Sequence, residues 1–411
     1  MAFREISTVD QRRELVAFAR KDGANIRELC RRFGISPPTA YKWLERYRQE
    51  GLDGLTDRSR RPKTSPWRTA PETEAKVLAL RELSNNVWGG RTIKRTLENQ
   101  GDTGVPAAST ITEILRRYDR LTEVGAAEHR GAWQRFERPH PNDLWQADYK
   151  GHVPIDGGGR CHPLTVLDDH SRYNIVLAAC PDERGETVRG HLRTAFGCYG
   201  LPFAILTDNG PPWGDPGGDP YTGFSVWLMR LGIKVLHGRP YHPQTQGKEE
   251  RFHRTLKAEV INGKSFRYLA DYQRAFDKWR PRYNHERPHQ ALDMATPADR
   301  YQPSPRPYTE VLPPIEYGPD DQVRKVSSDG FINFKNKAWR LSKAFRGEYI
   351  ALRPTTEDGR FDVHYCAHRI ANLDLRQVAS EACGLVDNAE TRCPQGPQVQ
   401  QQQQQTAPID E

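Results

Sequence analysis

Apolar positions in the first fifty residues recur at helical spacing. Leu15, Phe18 and Ala19 share one face of a first helix, and Ile26, Leu29, Cys30 and Phe33 repeat at three- and four-residue intervals in a second. Gly34 ends the second helix, where a left-handed residue suits a tight turn. Ser36 then stands as an N-cap and Pro37 at the first position of a third helix. Ala40, Trp43, Leu44 and Tyr47 form the buried face of that helix, leaving Thr39, Lys42 and Arg46 outward. A short turn between two helices and a basic outer face predict a helix-turn-helix, with residues 36–48 as the recognition helix. The competing reading is an ordinary helical hairpin. The same rhythm, helix, Gly-containing turn, helix, returns in a second unit with helices at 71–84, 91–100 and 107–118.

After residue 142 the period shortens. "DLWQADYKGHVPI", "CHPLTVLDDH" and "RYNIVLAAC" predict three strands, with Gly157-Gly158-Gly159 turning the first hairpin. A helix follows at 184–199, then a short strand in "PFAILTDNG" ending at Asp208, a Gly/Pro/Asp-rich loop and a helix at 221–232. "IKVLH" is another strand, and "HPQTQGKEERFHRTLK", His242 to Lys257, opens as a loop and continues as a helix. The order βββ-α-β-α-β-α predicts an α/β core with a mixed sheet whose front half is antiparallel. Residues 320–375 are β-like, with hairpin signals at Asp329-Gly330 and Asp358-Gly359, and predict a small separate β-barrel-like domain. The Gln-rich end predicts disorder.

The chain is therefore multidomain, with N-terminal all-α helix-turn-helix domains, a central α/β core and a small C-terminal β domain. The expected boundaries are 1–55 and 71–120 for the two helical domains, joined by a basic linker at 56–70. A second linker covers 121–142, the core 143–302 and a third linker 303–319. The β domain covers 320–376 and the disordered tail 384–411.

Charge sharpens this division. The net charge is +8, and residues 1–140 hold 27 Lys and Arg against 19 Asp and Glu, while the remainder is balanced. A polyanion-binding front end and a separate body follow. The seven cysteines form no CxxC pair, which fits reduced, mostly buried thiols in place of a disulfide frame or zinc finger. No apolar run is long enough to span a membrane and the N-terminus lacks a signal-peptide stretch, so the expected location is the cytoplasm.

Three acids stand where α/β sheets gather ligands: Asp148 in the first strand, Asp208 at the end of the fourth, and Glu250 on the last helix. Carboxylates brought together repel unless protonated or bridged by a cation, and hard oxygen donors select Mg²⁺ or Mn²⁺. Two such ions can clamp the attacking and leaving oxygens of a phosphodiester. Helical spacing separates the adjacent glutamates. Glu249 lines up with Phe252, Leu256 and Val260 on the packing face, whereas Glu250 lines up with Arg254 and Lys257, an acid beside two cations that suit phosphate. Glu249 is then expected to pair with a cation or reach solvent at the helix start.

Other groups compete. If the first hairpin folds about Gly158, Asp168 of "LDDHSRY" opposes Asp148 as a supporting carboxylate; the alternative is a strand-end turn. His285 and His289 stand four apart, but Pro288 between them argues against a helix-borne metal pair. "YNHERPHQAL" is expected to brace the catalytic helix from behind.

"WQADYKG", "LTDNG", "HPQTQGKEERFHRTLK" and "YNHERPHQAL" together resemble the integrase core of bacterial insertion-sequence transposases of the retroviral-integrase type, over about residues 140–300. The resemblance implies a ribonuclease-H-like fold and a DDE triad at Asp148, Asp208 and Glu250. It implies two Mg²⁺ or Mn²⁺ ions per site, double-stranded DNA at element ends and target as partner, and a homodimer or larger assembly. Its activity would be 3′-end cleavage and strand transfer. The 41 residues between Asp208 and Glu250 exceed the family's usual interval, and the loop Pro211 to Gly223 is the expected insertion. A ribonuclease-H-like nuclease without strand transfer, and a helix-turn-helix regulator with a vestigial core, are the alternatives.

Overall fold

The computed structural model describes residues 7–58, 68–121, 137–215, 219–238 and 247–376. The His242–Gln246 loop, most of both flanking linkers and the Gln-rich tail lie outside the described residues.

The described residues up to 68 form one compact unit. Its helices are α1 (Thr8–Ala19), α2 (Ile26–Phe33) and α3 (Pro37–Glu50). Asn25 caps α2 by accepting from the Arg27 and Glu28 amides, and Gly34 ends it at φ +61°, the left-handed value expected from its position. Leu15, Cys30 and Ala40 pack together, and Val16, Trp43 and Leu55 form a second small cluster. The predicted recognition helix is α3, with Lys42 exposed.

The described residues after 68 form the second compact unit. It begins with α4 (Pro71–Leu83), α5 (Gly90–Asn99) and α6 (Ala108–Arg117), within a residue or two of the helices expected there. Val77, Trp88, Ile93, Leu97, Ile111, Ile114 and Leu115 fill their shared core. The buried Arg81 guanidinium donates to the Trp88 and Arg120 carbonyls, which fixes the α4–α5 turn.

The central sheet is built from β1 (Trp145–Tyr149), β2 (Val153–Pro154), β3 (Arg160–Asp168), β4 (Asn174–Cys180), β5 (Ala204–Thr207) and β6 (Lys234–His237). Strand β1 lies between β3, antiparallel, and β5, parallel, while β6 is parallel to β5 and β4 flanks β3. The sheet is mixed, as the order of elements predicted. Alternation along the strands sorts its two faces. Trp145, Ala147, Leu164, Val166 and Ile205 point to one side, where α7 (Gly185–Tyr199) and α8 (Gly223–Arg230) cover them. On the other side Leu167 and Leu177 meet α9 (Gly247–Leu256), which runs into one π-helical turn (Lys257–Ile261), and α10 (Leu269–Pro281). Phe252, Leu256 and Val260 are buried there, the packing face that helical spacing gave.

The C-terminal region departs from expectation. Strands β7 (Gln322–Lys325), β10 (Tyr349–Pro354), β11 (Arg360–Tyr365) and β12 (His368–Asp374) form an open antiparallel sheet, and β8 (Phe331–Phe334) pairs with β9 (Lys337–Arg340) in a separate hairpin. Among the described residues no barrel closes. The strands are short, and the hairpin covers the sheet with Ile332, Phe334 and Trp339 instead of extending it. Nor is this region separate in its packing. Its apolar cluster is continuous with that of the core, and the Tyr221 hydroxyl donates to the Ile370 carbonyl at 2.6 Å. Both predicted turns are present, with Gly330 and Gly359 at φ +84° and +79°.

Candidate active site

Asp148 shares its sheet face with α9 because it is out of phase with Trp145 and Ala147. In the parallel pair β1–β5, Trp145 matches Ile205 and Gln146 matches Leu206. Continuing that offset sets Asp148 abreast of Asp208, just past the end of β5. Burial pushes the Asp148 carboxyl up to about 7, with the Asp208 charge as the next cause. Asp208 is raised as well, chiefly by burial, although the Gly210 amide donates to its Oδ1 at 3.2 Å. Two half-buried acids that each resist ionisation are a donor set for a hard cation. Glu183, which sequence reasoning passed over, adds charge that raises both acids, and it contacts the His162 ring.

The third acid is not gathered with them. The Glu250 side chain is 68% exposed and pairs with Arg254 at 3.2 Å along α9. Among the described residues no group of three His, Cys, Asp or Glu is placed to hold a metal ion. The stripe Glu250, Arg254, Lys257 faces solvent, as its helical spacing predicted.

Glu249 occupies the inner position instead. Its side chain is 1% exposed, so the expectation of a cation partner or a solvent path is corrected: the apolar neighbours in register with it carry it into the core. Thr165 lies opposite Asp148 in the β1–β3 register, and its Oγ1 is 2.9 Å from Glu249 Oε2, 2.8 Å from His253 Nε2 and 3.1 Å from the Asp148 carbonyl oxygen. One hydroxyl has one proton to give. All three contacts are satisfied if Thr165 donates to the carbonyl and accepts from a Glu249 carboxyl and the His253 N–H. Burial, and then the Asp148 charge, raise the Glu249 carboxyl well above its ordinary range, which agrees with a protonated acid. His253 is pushed down to about 4 by burial and by Lys150, so it is a neutral ring there, with Nδ1 3.9 Å from Asp148 Oδ2. The burial of Glu249 was readable from its helical phase. Its partner Thr165 was not, because that needs the strand register.

That register also settles the neighbouring acids. Asp168 lies opposite Trp145, not Asp148. The β2–β3 pairs, Val153 with Cys161 and Pro154 with Arg160, centre the turn on Gly157 and not Gly158, and the Lys150–His152 segment, where Gly151 takes φ +80°, shifts β1 one further position. Asp168 serves the strand-end turn, accepting from the Asn142 and Ser171 amides. Asp169, fully buried, pairs with Lys248 at the start of α9 and so fixes where that helix begins. His285 and His289 pack edge-on to Tyr173 and Tyr283, a structural role. "YNHERPHQAL" braces the helix as expected. Asn284 exchanges hydrogen bonds with the Asn174 backbone, and Arg287 Nε donates to Glu259 beyond the end of α9.

In the N-terminal unit Lys42 is exposed and Thr39 partly so. Arg46 is more committed. Its guanidinium donates to the Thr56 carbonyl at 3.1 Å and lies over the Trp43 ring.

Comparison with known proteins reaches the helical units, the core and the C-terminal strands. A family model for integrase core domains matches residues 138–243, and a second with the same description matches 231–297. A model of the IS481 family transposase C-terminal domain matches 321–381, one of a helix-turn-helix domain 11–63, and one of a homeodomain-like domain 39–115. The chain is 30% identical to an insertion element IS476 uncharacterized 39.2 kDa protein of Xanthomonas euvesicatoria, across 38% of this chain and 44% of that protein. It is 24% identical to the transposase for transposon Tn552 of Staphylococcus aureus, across 79% of this chain and 74% of that protein. Among solved structures, the HTLV-2 integrase catalytic core domain in complex with magnesium is 20% identical, with a TM-score of 0.31, covering 40% of this chain and 99% of that one. Among the described residues no helix is long and apolar enough to cross a membrane.

Proposed function

We propose that this chain, which resembles bacterial insertion-sequence transposases built on an integrase core, is a DDE transposase that cuts the ends of its mobile element and joins them to target DNA. The observation that carries the reading is the pairing of Asp148 and Asp208 at the ends of adjacent parallel strands, each acid held above its usual range. Asp148, Asp208 and Glu250 are the residues that would hold two Mg²⁺ or Mn²⁺ ions. Bound there, such ions supply Lewis-acid polarisation of phosphate oxygens and a readily deprotonated water.

The chain's own groups do the rest. In cleavage a water oxygen bonds to the scissile phosphorus and the 3′-oxygen leaves with a proton, giving a 3′-OH. In joining that 3′-OH attacks a target phosphate and displaces another 3′-oxygen. Lys150, lowered chiefly by burial and then by the charge of Lys257, stands two residues after Asp148, and with Lys257 it suits the phosphates on either side of the cut. Thr165 seats the backbone of Asp148, and the neutral His253 ring lies beside its side chain. The helical units grip double-stranded DNA, and two ends joined in one event call for a homodimer or larger assembly.

The test is incubation of the full chain with Mg²⁺ and linear DNA carrying the element's ends, resolving cleaved and joined products. Joining of pre-cut ends supports the reading. Cleavage without joining points to a nuclease, and binding without either reaction to a regulator.

Two further outcomes follow. A fragment of residues 1–120 is expected to bind DNA with affinity falling steeply as salt rises. Lys42→Ala should weaken it by about 1–3 kcal/mol if a base edge is read. Lys42 is the cleaner probe, since Arg46→Ala also removes the Thr56 and Trp43 contacts. Salt-independent binding in a filter assay counts against this assignment. Arg254→Ala and Lys257→Ala should slow cleavage and joining and make joining more salt-sensitive while leaving the melting temperature within about 1–2 °C, because exposed charges contribute little to stability. Wild-type kinetics in both variants remove the stripe from the DNA-facing surface.

A further inference from the structure

The π-helical turn that extends α9 carries a carboxylate with no solvent exposure. Glu259 Oε1 accepts from the Trp88 indole N–H at 3.0 Å and from Arg287 Nε at 3.1 Å, and Oε2 accepts from the Trp279 indole N–H at 2.8 Å. These donors come from three places: the turn between α4 and α5, the end of α10, and the "YNHERPH" segment. The backbone around them is tied in the same way. Asn85 Nδ2 donates to the Ala258 and Asn262 carbonyls at 2.8 and 3.3 Å, and Arg282 donates to the Leu83 carbonyl at 2.6 Å. Asn85 and Asn86 both take positive φ, which turns the Ser84–Trp88 loop toward the helix end.

We propose that Glu259 is a positioning residue, whose hydrogen bonds to Trp88, Trp279 and Arg287 hold the α4–α6 unit at a fixed offset from the helix bearing Glu250. The physical argument is specificity of place. A buried anion cannot slide along its interface, because every displacement strips it of N–H donors in a medium that offers no replacement. An apolar contact of the same size tolerates shifts. The π-helical turn sets the angle at which this acid leaves the helix, and such turns recur at functional sites. DNA held by α4–α6 is then presented to the acids at one phosphodiester and not at its neighbours. This last step rests on the transposase reading. The docking itself does not.

The test uses the full chain with Trp88→Phe, which removes one donor and leaves Trp279 and Arg287 on the acid, and Glu259→Gln, which removes the charge. Amide exchange in residues 84–88 and 257–262 should speed up by about tenfold or more in both variants while that in β1, β3 and β5 stays unchanged. Cleavage of DNA carrying the element's ends should fall by roughly tenfold to a hundredfold at unchanged DNA affinity, with cuts spread over neighbouring phosphodiesters. The spread is the decisive readout, since loss of stability alone lowers the amount of active protein without moving the cut. If the wild-type chain makes no cut, the transposase reading fails, and a hydroxyl-radical footprint takes over: its core-side edge should blur in the variants while the helical-unit edge stays sharp. Unchanged exchange, or a cut or footprint as sharp as that of the wild type, overturns the positioning role.

Discussion

Asp148→Asn is expected to reduce cleavage and joining by roughly a thousandfold or more while making the metal-free protein more stable at pH 8. Both effects follow from one property. The folded-state carboxyl is raised to about 7, mainly by burial and then by Asp208. A raised carboxyl contributes stability that is fully present below its unfolded value, near 4, and lost as pH rises through about 7. At pH 8 the metal-free fold therefore holds an ionised, partly buried acid beside a second one, and asparagine relieves it at nearly constant shape. Differential scanning calorimetry without divalent ions should show the variant melting about 2 °C or more above wild type at pH 8, with the gap closing toward pH 5. Mg²⁺ should raise the wild-type melting temperature more at pH 8 than at pH 6, and should leave Asp148→Asn nearly unmoved. A variant less stable than wild type at pH 8 would show that Asp148 holds the fold together and is not held strained within it.

The second large effect separates the adjacent glutamates. Glu250→Gln should eliminate both reactions and leave DNA binding intact, because the side chain is exposed and its bond to Arg254 contributes little to folding. Glu249→Gln should retain most activity, since glutamine has the shape of a protonated acid and its amide can still donate to Thr165. Glu249→Ala should instead destabilise by about 2–4 kcal/mol, through a cavity beneath α9 and the loss of a partner for Thr165 and His253. Single-turnover kinetics and melting curves on the three variants decide the matter. Inactive Glu249→Gln beside active Glu250→Gln would exchange their roles.

Helical phase made the inner and outer faces of α9 legible, as it did the recognition helix with its left-handed Gly34. Strand order was legible because short parallel strands alternate with helices, which brought β1 beside β5 and Asp148 toward Asp208. What failed depended on register and tertiary reach. Gly158 lies in the hairpin turn, yet the turn centres on Gly157 and the segment near Gly151 adds one more position, so Asp168 falls three positions from where symmetry about Gly158 would place it. No local pattern links Trp88 to Glu259, 171 residues apart. The barrel expectation failed because alternation gives strands and their buried faces without stating whether the edges meet. Glu250 and Asp208 were legible as acids near strand and helix ends, but that Glu250 stays apart from the Asp148–Asp208 pair was not, because helical phase gives a face and not its distance from a strand end.

Helix α9 is pinned at both ends, by the Asp169–Lys248 pair at its start and by Glu259 just past its finish. Its backbone therefore has little freedom to travel. The outward Glu250 can still turn about its own side-chain bonds, against an exposed pair with Arg254 worth about 0–1 kcal/mol. Such rotations take picoseconds to nanoseconds, whereas shifts of whole helices take microseconds to milliseconds. If the chain is the transposase proposed, reorientation of Glu250 on this fixed helix is fast on the scale of a turnover, and the slower events to look for are in the DNA, in its bending, pairing of ends or release.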